Sequence, residues 1–270
     1  MLKVKGIEVK KGYSIKFSEG IHQYRDDKGV VPSVTTIIGI LNKPALMGWA
    51  ARITAEYLIK QIPRIKSGKV KFTVQEANRL YSLARTESMR ESKKAMAIGT
   101  KVHAAVERYI KTGKGLKGRV NKQVKNAFDA FLVWKEEVGI GSVVAVEQVI
   151  YSKKHGYAGT LDLAVNLRRE GEKEYSLYIV DLKSSKAFYE PDMPMQVAAY
   201  AYALMEMSDV KVDGIGILRL DKETGQPAWR DYSELMAEYF DMFKTLCKFE
   251  NKKRATRKAQ KVIEKGKYNE

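Results

Sequence analysis

Alternation of apolar and polar residues is strongest between residues 143 and 183, where the runs VVAVEQVIY, GTLDLAVNL and YSLYIVDLKS are separated by two polar breaks. Ser152-Lys153-Lys154-His155-Gly156 forms the first break and Arg168-Arg169-Glu170-Gly171-Glu172-Lys173 the second, each with charge and a glycine, as hairpin turns have. A three-stranded antiparallel meander is therefore expected. A first turn centred between Lys154 and His155 sets Glu147 opposite Asp162. A second, centred between Gly171 and Glu172, sets Asp162 opposite Asp181. Directly opposed side chains share a face with Cβ atoms roughly 4.5–5.5 Å apart. Lys183 joins that face because strand side chains repeat every two residues.

Around the meander the pattern is mostly helical. Residues 1–38 read as short strands, with turns at Lys11-Gly12, Glu19-Gly20 and Asp26-Asp27-Lys28-Gly29. Pro44 opens a helix that Pro63 ends. Further helices are expected from Thr73 to about Arg85, and from near Glu91 to Ile110, closed by Thr112-Gly113. Another spans roughly 121–138, stopped by Gly139 and Gly141. After the meander come a helix from Pro194 to about Met207, a strand GIGILRL, and a last helix over 233–249. This order predicts an α/β fold with a central mixed sheet flanked by helices. The expected divisions are 1–90, strands and helices packed on or capping the core; 91–249, the core; and 250–270, a basic tail.

Like charges placed opposite one another destabilise a sheet, so a row of carboxylates among Val, Ile, Leu and Tyr calls for a compensating cation. Oxygen ligands point to a hard divalent ion, Mg²⁺ or Mn²⁺, rather than zinc. The competing reading has these acids at solvent-facing strand ends with Lys183 as a salt-bridge partner. In Gly99-Thr100-Lys101-Val102-His103-Ala104-Ala105-Val106-Glu107, His103 and Glu107 lie four apart on one helix face. Ile98, Val102, Val106 and Ile110 form the adjoining apolar stripe, so His103 borders the buried side. An imidazole there can ligate a metal, donate to a phosphate, or simply be hydrogen-bonded at the core margin. Gln196 and Tyr200 are again four apart; they suit hydrogen bonds or stacking with a nucleic acid, or else an ordinary half-buried helix face.

Composition narrows the partners. The chain has 270 residues, 44% of them hydrophobic, enough for one large core or two small ones. A single cysteine, Cys247, excludes a disulfide framework, a four-cysteine iron–sulfur cluster and a zinc ribbon, and makes a reducing, cytoplasmic setting the default expectation. No apolar run approaches the roughly 20 residues of a membrane helix, and the start MLKVKGIEVKK lacks the apolar segment of a signal peptide. A net charge of +17 favours a polyanion, nucleic acid before membrane. Nine basic residues against two acids between Lys248 and Lys267 suggest salt-sensitive affinity for phosphates, the alternative being a solvated end without a role. Gly113-Lys114-Gly115 and Lys117-Gly118 lack the spacing of a Walker loop, which argues against an ATP-driven motor.

Taken together, Gly99-Thr100-x-x-His103-x-x-x-Glu107, Gly159-Thr160-Leu161-Asp162, Asp181-Leu182-Lys183 and Gln196-x-x-x-Tyr200, in this order, resemble the PD-(D/E)XK nuclease superfamily. The branch they are most similar to is the RecB-like one, with its phage exonucleases and mitochondrial genome maintenance exonuclease. His22-x-Tyr24 and the run Pro32-Ser33-Val34-Thr35-Thr36-Ile37-Ile38 extend the likeness toward the N-terminus. The resemblance implies a restriction-endonuclease-like core and a metal-dependent DNA exonuclease, serving DNA processing, recombination or repair. It implies Asp162, Asp181 and Lys183 as catalytic residues. The metal, one or two Mg²⁺ or Mn²⁺ ions, would be held by His103, Asp162, Asp181 and the Leu182 carbonyl, with Glu147 as a further candidate. Gln196 and Tyr200 would contact DNA, with Ser33, Thr35 and Thr36 as additional candidates and Glu107 in support. Leu161 stands where the superfamily often has proline, and Asp181 where glutamate is common; neither removes a ligand type. A flap-type endonuclease and a non-catalytic nucleic-acid-binding protein are the alternatives.

Overall fold

The computed structural model describes residues 6–41, 43–69, 71–168, 171 and 173–267. Strands β1 (Lys16–Ser18), β2 (Gln23–Asp26) and β3 (Gly29–Val31) form a small antiparallel sheet, with the Asp26-to-Gly29 turn where the sequence marks it. The run after Pro32, read as strand-like, instead folds as a short helix α1 (Val34–Ile38). Ser33 caps it: its hydroxyl accepts from the backbone N–H of Thr36 at 3.0 Å, the local bond that makes serine favour helix starts.

Pro44 stands in the first turn of α2 (Pro44–Ile59), as its fixed φ favours. Pro63 does not end that helix but opens the short α3 (Ile62–Lys66), for the same reason. The two helices expected over 73–85 and 91–110 are one, α4 (Val74–Thr112). Residues 86–90, between the two expected helices, contain no glycine or proline, and the Glu87–Arg90 and Glu91–Lys94 ion pairs brace the helix through and beyond them. Helix α5 (Lys122–Glu137) follows, capped by the Asn121 side chain.

The meander forms as β4 (Ser142–Ser152), β5 (Tyr157–Leu167) and β6 (Ser176–Lys183). Residues 169, 170 and 172 of its second turn lie outside the described residues. Helix α6 (Asp192–Met207) then crosses over to β7 (Gly214–Leu220), which pairs parallel to β6, the connection that parallel strands require. An edge strand absent from the sequence reading, β8 (Pro227–Asp231), closes the order β4-β5-β6-β7-β8. Proline at its first residue disguises it, and proline is tolerated there. Helix α7 (Met236–Lys267) runs on past residue 249, so the basic stretch is helical through Lys267.

The fold is α/β, with a mixed five-stranded sheet, flanking helices and an N-terminal antiparallel sheet. Strand β5 lies inside the sheet between β4 and β6, with Leu161, Leu163, Ala164 and Val165 all inaccessible to solvent. Burying each large aliphatic side chain of this kind contributes about 1.5–3 kcal/mol, so the strand carrying Asp162 is among the most firmly held. Contacts divide the chain into one unit of 1–40 with 101–270 and another of 41–100. No helix among the described residues is long and apolar enough to cross a membrane.

Candidate metal centre

Strand register brings the acids together. The pairs flanking Glu147 are Val146↔Leu163 and Gln148↔Leu161, so Glu147 stands opposite Asp162. Glu147 itself has a φ of 48°, in the left-handed region, which costs a non-glycine residue on the order of 1–2 kcal/mol. The β5–β6 ladder runs to Leu163↔Val180, one step short of Asp162 and Asp181. There the Leu182 N–H donates to Asp162 Oδ2 at 2.7 Å.

Helix α4 supplies the imidazole. His103 Nδ1 lies 3.5 Å from Glu147 Oε1 and 3.4 Å from Asp162 Oδ1, while Nε2 donates to the Leu182 carbonyl at 3.1 Å. One potential ligand atom from each of His103, Glu147 and Asp162 falls within 4.8 Å of the others. On the other side, Lys183 Nζ is 2.5 Å from Asp181 Oδ2 and donates to Gln196 Oε1 at 3.3 Å. Gln196 Nε2 in turn donates to the Tyr200 hydroxyl at 2.8 Å. Gly159 makes room for that tyrosine: a Cβ there would sit 2.7 Å from a Tyr200 ring carbon.

The charges are mutually dependent. Burial drives the Asp181 carboxyl up, to about 6; nearby Asp162 adds to this, and Lys183 opposes it. Burial also pushes Asp162 upward, but His103, Lys183 and the Leu182 N–H outweigh it and hold that carboxyl below its ordinary value. For His103, burial works against protonation; Asp162 and Glu147 overcome it, and the imidazole is raised well above its usual range. Lys183 likewise stays charged despite burial, through Asp181 and Asp162. Tyr200 is pushed upward by burial and then by Asp181 and Asp162.

These residues fit a divalent cation. Three carboxylates against His103 and Lys183 leave net negative charge in a largely buried site. Asp181 Oδ2 is fully buried and makes no hydrogen bond of good geometry, only the ion pair to Lys183. Carboxylate oxygens with one imidazole are donors such a cation takes.

Not every candidate joins the cluster. Glu107 is drawn away to Lys111, 2.5 Å along the same helix. Ser33, Thr35 and Thr36 bond mainly to one another at the start of α1, although Ser33 also bridges to β5 at Ala158. The Leu182 carbonyl faces His103. Two neighbours went unassigned in the sequence: Tyr24 donates to or accepts from Thr160 Oγ1 at 2.8 Å, and burial, with help from Glu147, raises the Tyr24 phenol. Thr160 was visible as the second residue of Gly159-Thr160-Leu161-Asp162, whereas nothing local ties Tyr24 to it.

No protein-family model matches the sequence, and no curated protein matches it. Among solved structures, the chain is similar to an alkaline exonuclease, LHK-Exo, from Laribacter hongkongensis, at 14% identity and a TM-score of 0.32. That likeness covers 60% of this chain and 86% of the other.

Proposed function

We propose that this chain is a Mg²⁺- or Mn²⁺-dependent deoxyribonuclease of the PD-(D/E)XK type that hydrolyses phosphodiester bonds from DNA ends. One observation carries the reading: acids from three neighbouring strands converge with His103 of α4, and Lys183 lies within ion-pair distance of Asp181. Asp162, Asp181, His103 and Glu147 would hold the ion, with the Leu182 carbonyl as a further donor. A bound divalent ion neutralises phosphate charge and lowers the pKa of water.

The remaining steps belong to the chain. Water adds to phosphorus, the bridging phosphorus–oxygen bond breaks, and the departing oxygen leaves as an alcohol. Lys183 supplies a fixed positive charge where negative charge develops, which is worth most in a site shielded from solvent. Gln196 holds Lys183 by its carbonyl oxygen and Tyr200 by its amide, so one helix sets the direction of the ammonium. The surplus of basic charge, +17 in all, draws a polyanionic substrate.

End-labelled linear DNA and closed circular DNA, incubated with Mg²⁺ and then with EDTA, test the proposal. Mononucleotides or short products from the linear substrate alone are expected, with none in EDTA. Cleavage of the closed circle identifies an endonuclease. Binding of DNA without hydrolysis in either Mg²⁺ or Mn²⁺ identifies a non-catalytic binding protein and overturns the reading.

A further inference from the structure

A groove of about 490 Å³ opens between the β2–β3 hairpin and α7, lined by Val30, Pro32, Asn251, Arg254, Ala255 and Lys258. Its α7 residues are spaced three and four apart and so share one helical face. That face is fastened to the body, because Asn251 Nδ2 donates to the His155 carbonyl at 2.9 Å in the β4–β5 turn. The groove cations are thus carried one and two turns beyond an anchor. They are also uncommitted: neighbouring Lys253 is drawn to Glu250, whereas neither Arg254 nor Lys258 has an acidic partner among the described residues.

The groove is tied to the strand that carries Asp162. Pro32 lies on its wall, and the Pro32 carbonyl accepts from the Ala158 N–H at 3.0 Å, next to the Ser33 bridge to β5. At Ala158 the other edge of β5 is taken by Tyr151 of β4, so Ser33 lies along the edge that β6 has left. Four residues on is Asp162, about 13 Å along the strand, a distance that a short length of nucleic acid spans.

We infer that this groove is a phosphate-binding subsite for the DNA strand entering the metal centre, with Arg254 and Lys258 as its cations. The inference deepens the nuclease reading and rests on it. A guanidinium fork and an ammonium over an apolar floor of Val30, Pro32 and Ala255 suit a backbone phosphate and its sugar. Phosphate contacts of this kind fix the register of a strand without reading its sequence.

The test compares two double variants that lose equal charge on one helix: Arg254→Gln with Lys258→Gln in the groove, and Lys252→Gln with Arg257→Gln outside it. Affinity for a fluorescein-labelled single-stranded DNA is followed in EDTA as salt is raised. Each single-strand phosphate contact contributes about 0.7 to the slope of log affinity against log salt, so the groove pair should lower that slope by about 1.4. The outer pair should change it by less than half as much. Equal changes in both pairs, or an unchanged slope in the groove pair, overturn the subsite. Hydrolysis by the wild-type protein in Mg²⁺ is scored separately. If it is absent while the groove pair alone flattens the slope, the nuclease reading fails and the groove stands as a DNA contact.

Discussion

His103 Nε2 meets the carbonyl oxygen of Leu182 at 3.1 Å, which ties α4 to the β6 backbone between Asp181 and Lys183. The imidazole thus touches all three acid-bearing strands at once, through Glu147, Asp162 and Leu182. Removing it takes away one candidate ligand and the contact that orients two others. His103→Ala should weaken Mn²⁺ binding by about 10–100-fold, the loss typical of a group that ligates or orients a metal site. Titration calorimetry with Mn²⁺ measures it, and unchanged affinity would remove His103 from the centre.

Crowded carboxylates make the empty site unfavourable, so a cation should stabilise the fold. At a free metal concentration 100 times the dissociation constant, binding contributes about 2.7 kcal/mol. For a chain of this size that corresponds to a rise of several degrees in melting temperature. Calorimetric melts with and without Mn²⁺ should show the shift in the wild type and lose it in Asp162→Asn. A shift of equal size in the variant would place the stabilising ion elsewhere.

Lys183 shares the site with Asp181 yet is no metal ligand, so its loss should separate catalysis from binding. Lys183→Met is expected to reduce cleavage by about 10²–10³, as removal of one fixed transition-state charge does elsewhere. Mn²⁺ affinity and DNA binding in EDTA should change far less. Single-turnover rates beside binding titrations decide it; near-normal cleavage would strike Lys183 from the reaction.

The register of the acids was readable because each hairpin announces its own turn and the strands around it alternate. The ladder follows the expected pairing from Ala145 to Ser152, and a shift appears only farther back, between Val143 and Ala145. What the sequence concealed depends on distant partners. The bridge from Ser33 to Ala158 and the Tyr24–Thr160 bond each join segments far apart in the chain. Glu107 shows the converse, since its helical spacing from His103 suggests cooperation but its spacing to Lys111 is equally good and prevails. Residues 86–90 looked like a break because they are mostly polar, yet they contain no glycine or proline and the helix runs through them.

Gly159 is where sequence and site geometry meet most tightly. An added methyl there must displace the Tyr200 ring, and with it the hydroxyl that Gln196 holds. Gly159→Ala should cost about 1–3 kcal/mol, the usual penalty of overpacking a core. Combined with Tyr200→Ala, which clears the space, the alanine should cost much less. Denaturant melts of the four proteins in this cycle provide the coupling. Additive losses would mean that Gly159 matters for some reason other than Tyr200.

Tyr151 joins the N-terminal sheet to β4 by donating its hydroxyl to Asp26 Oδ2 at 2.7 Å. This bond, more than any other influence, depresses the Asp26 carboxyl, and burial followed by Asp26 itself raises the Tyr151 phenol. A depressed carboxyl contributes stability above its unfolded value, near about 3.9, and loses it as pH falls through the lower folded value. A raised phenol contributes below about 10 and loses its share as pH rises past that point. Tyr151→Phe should therefore cost about 1 kcal/mol at neutral pH, with the gap to wild type narrowing once pH falls below about 4. Urea melts of both proteins across the acid range measure that gap; a gap that stays constant down to the lowest pH would show that Asp26 is not coupled to Tyr151.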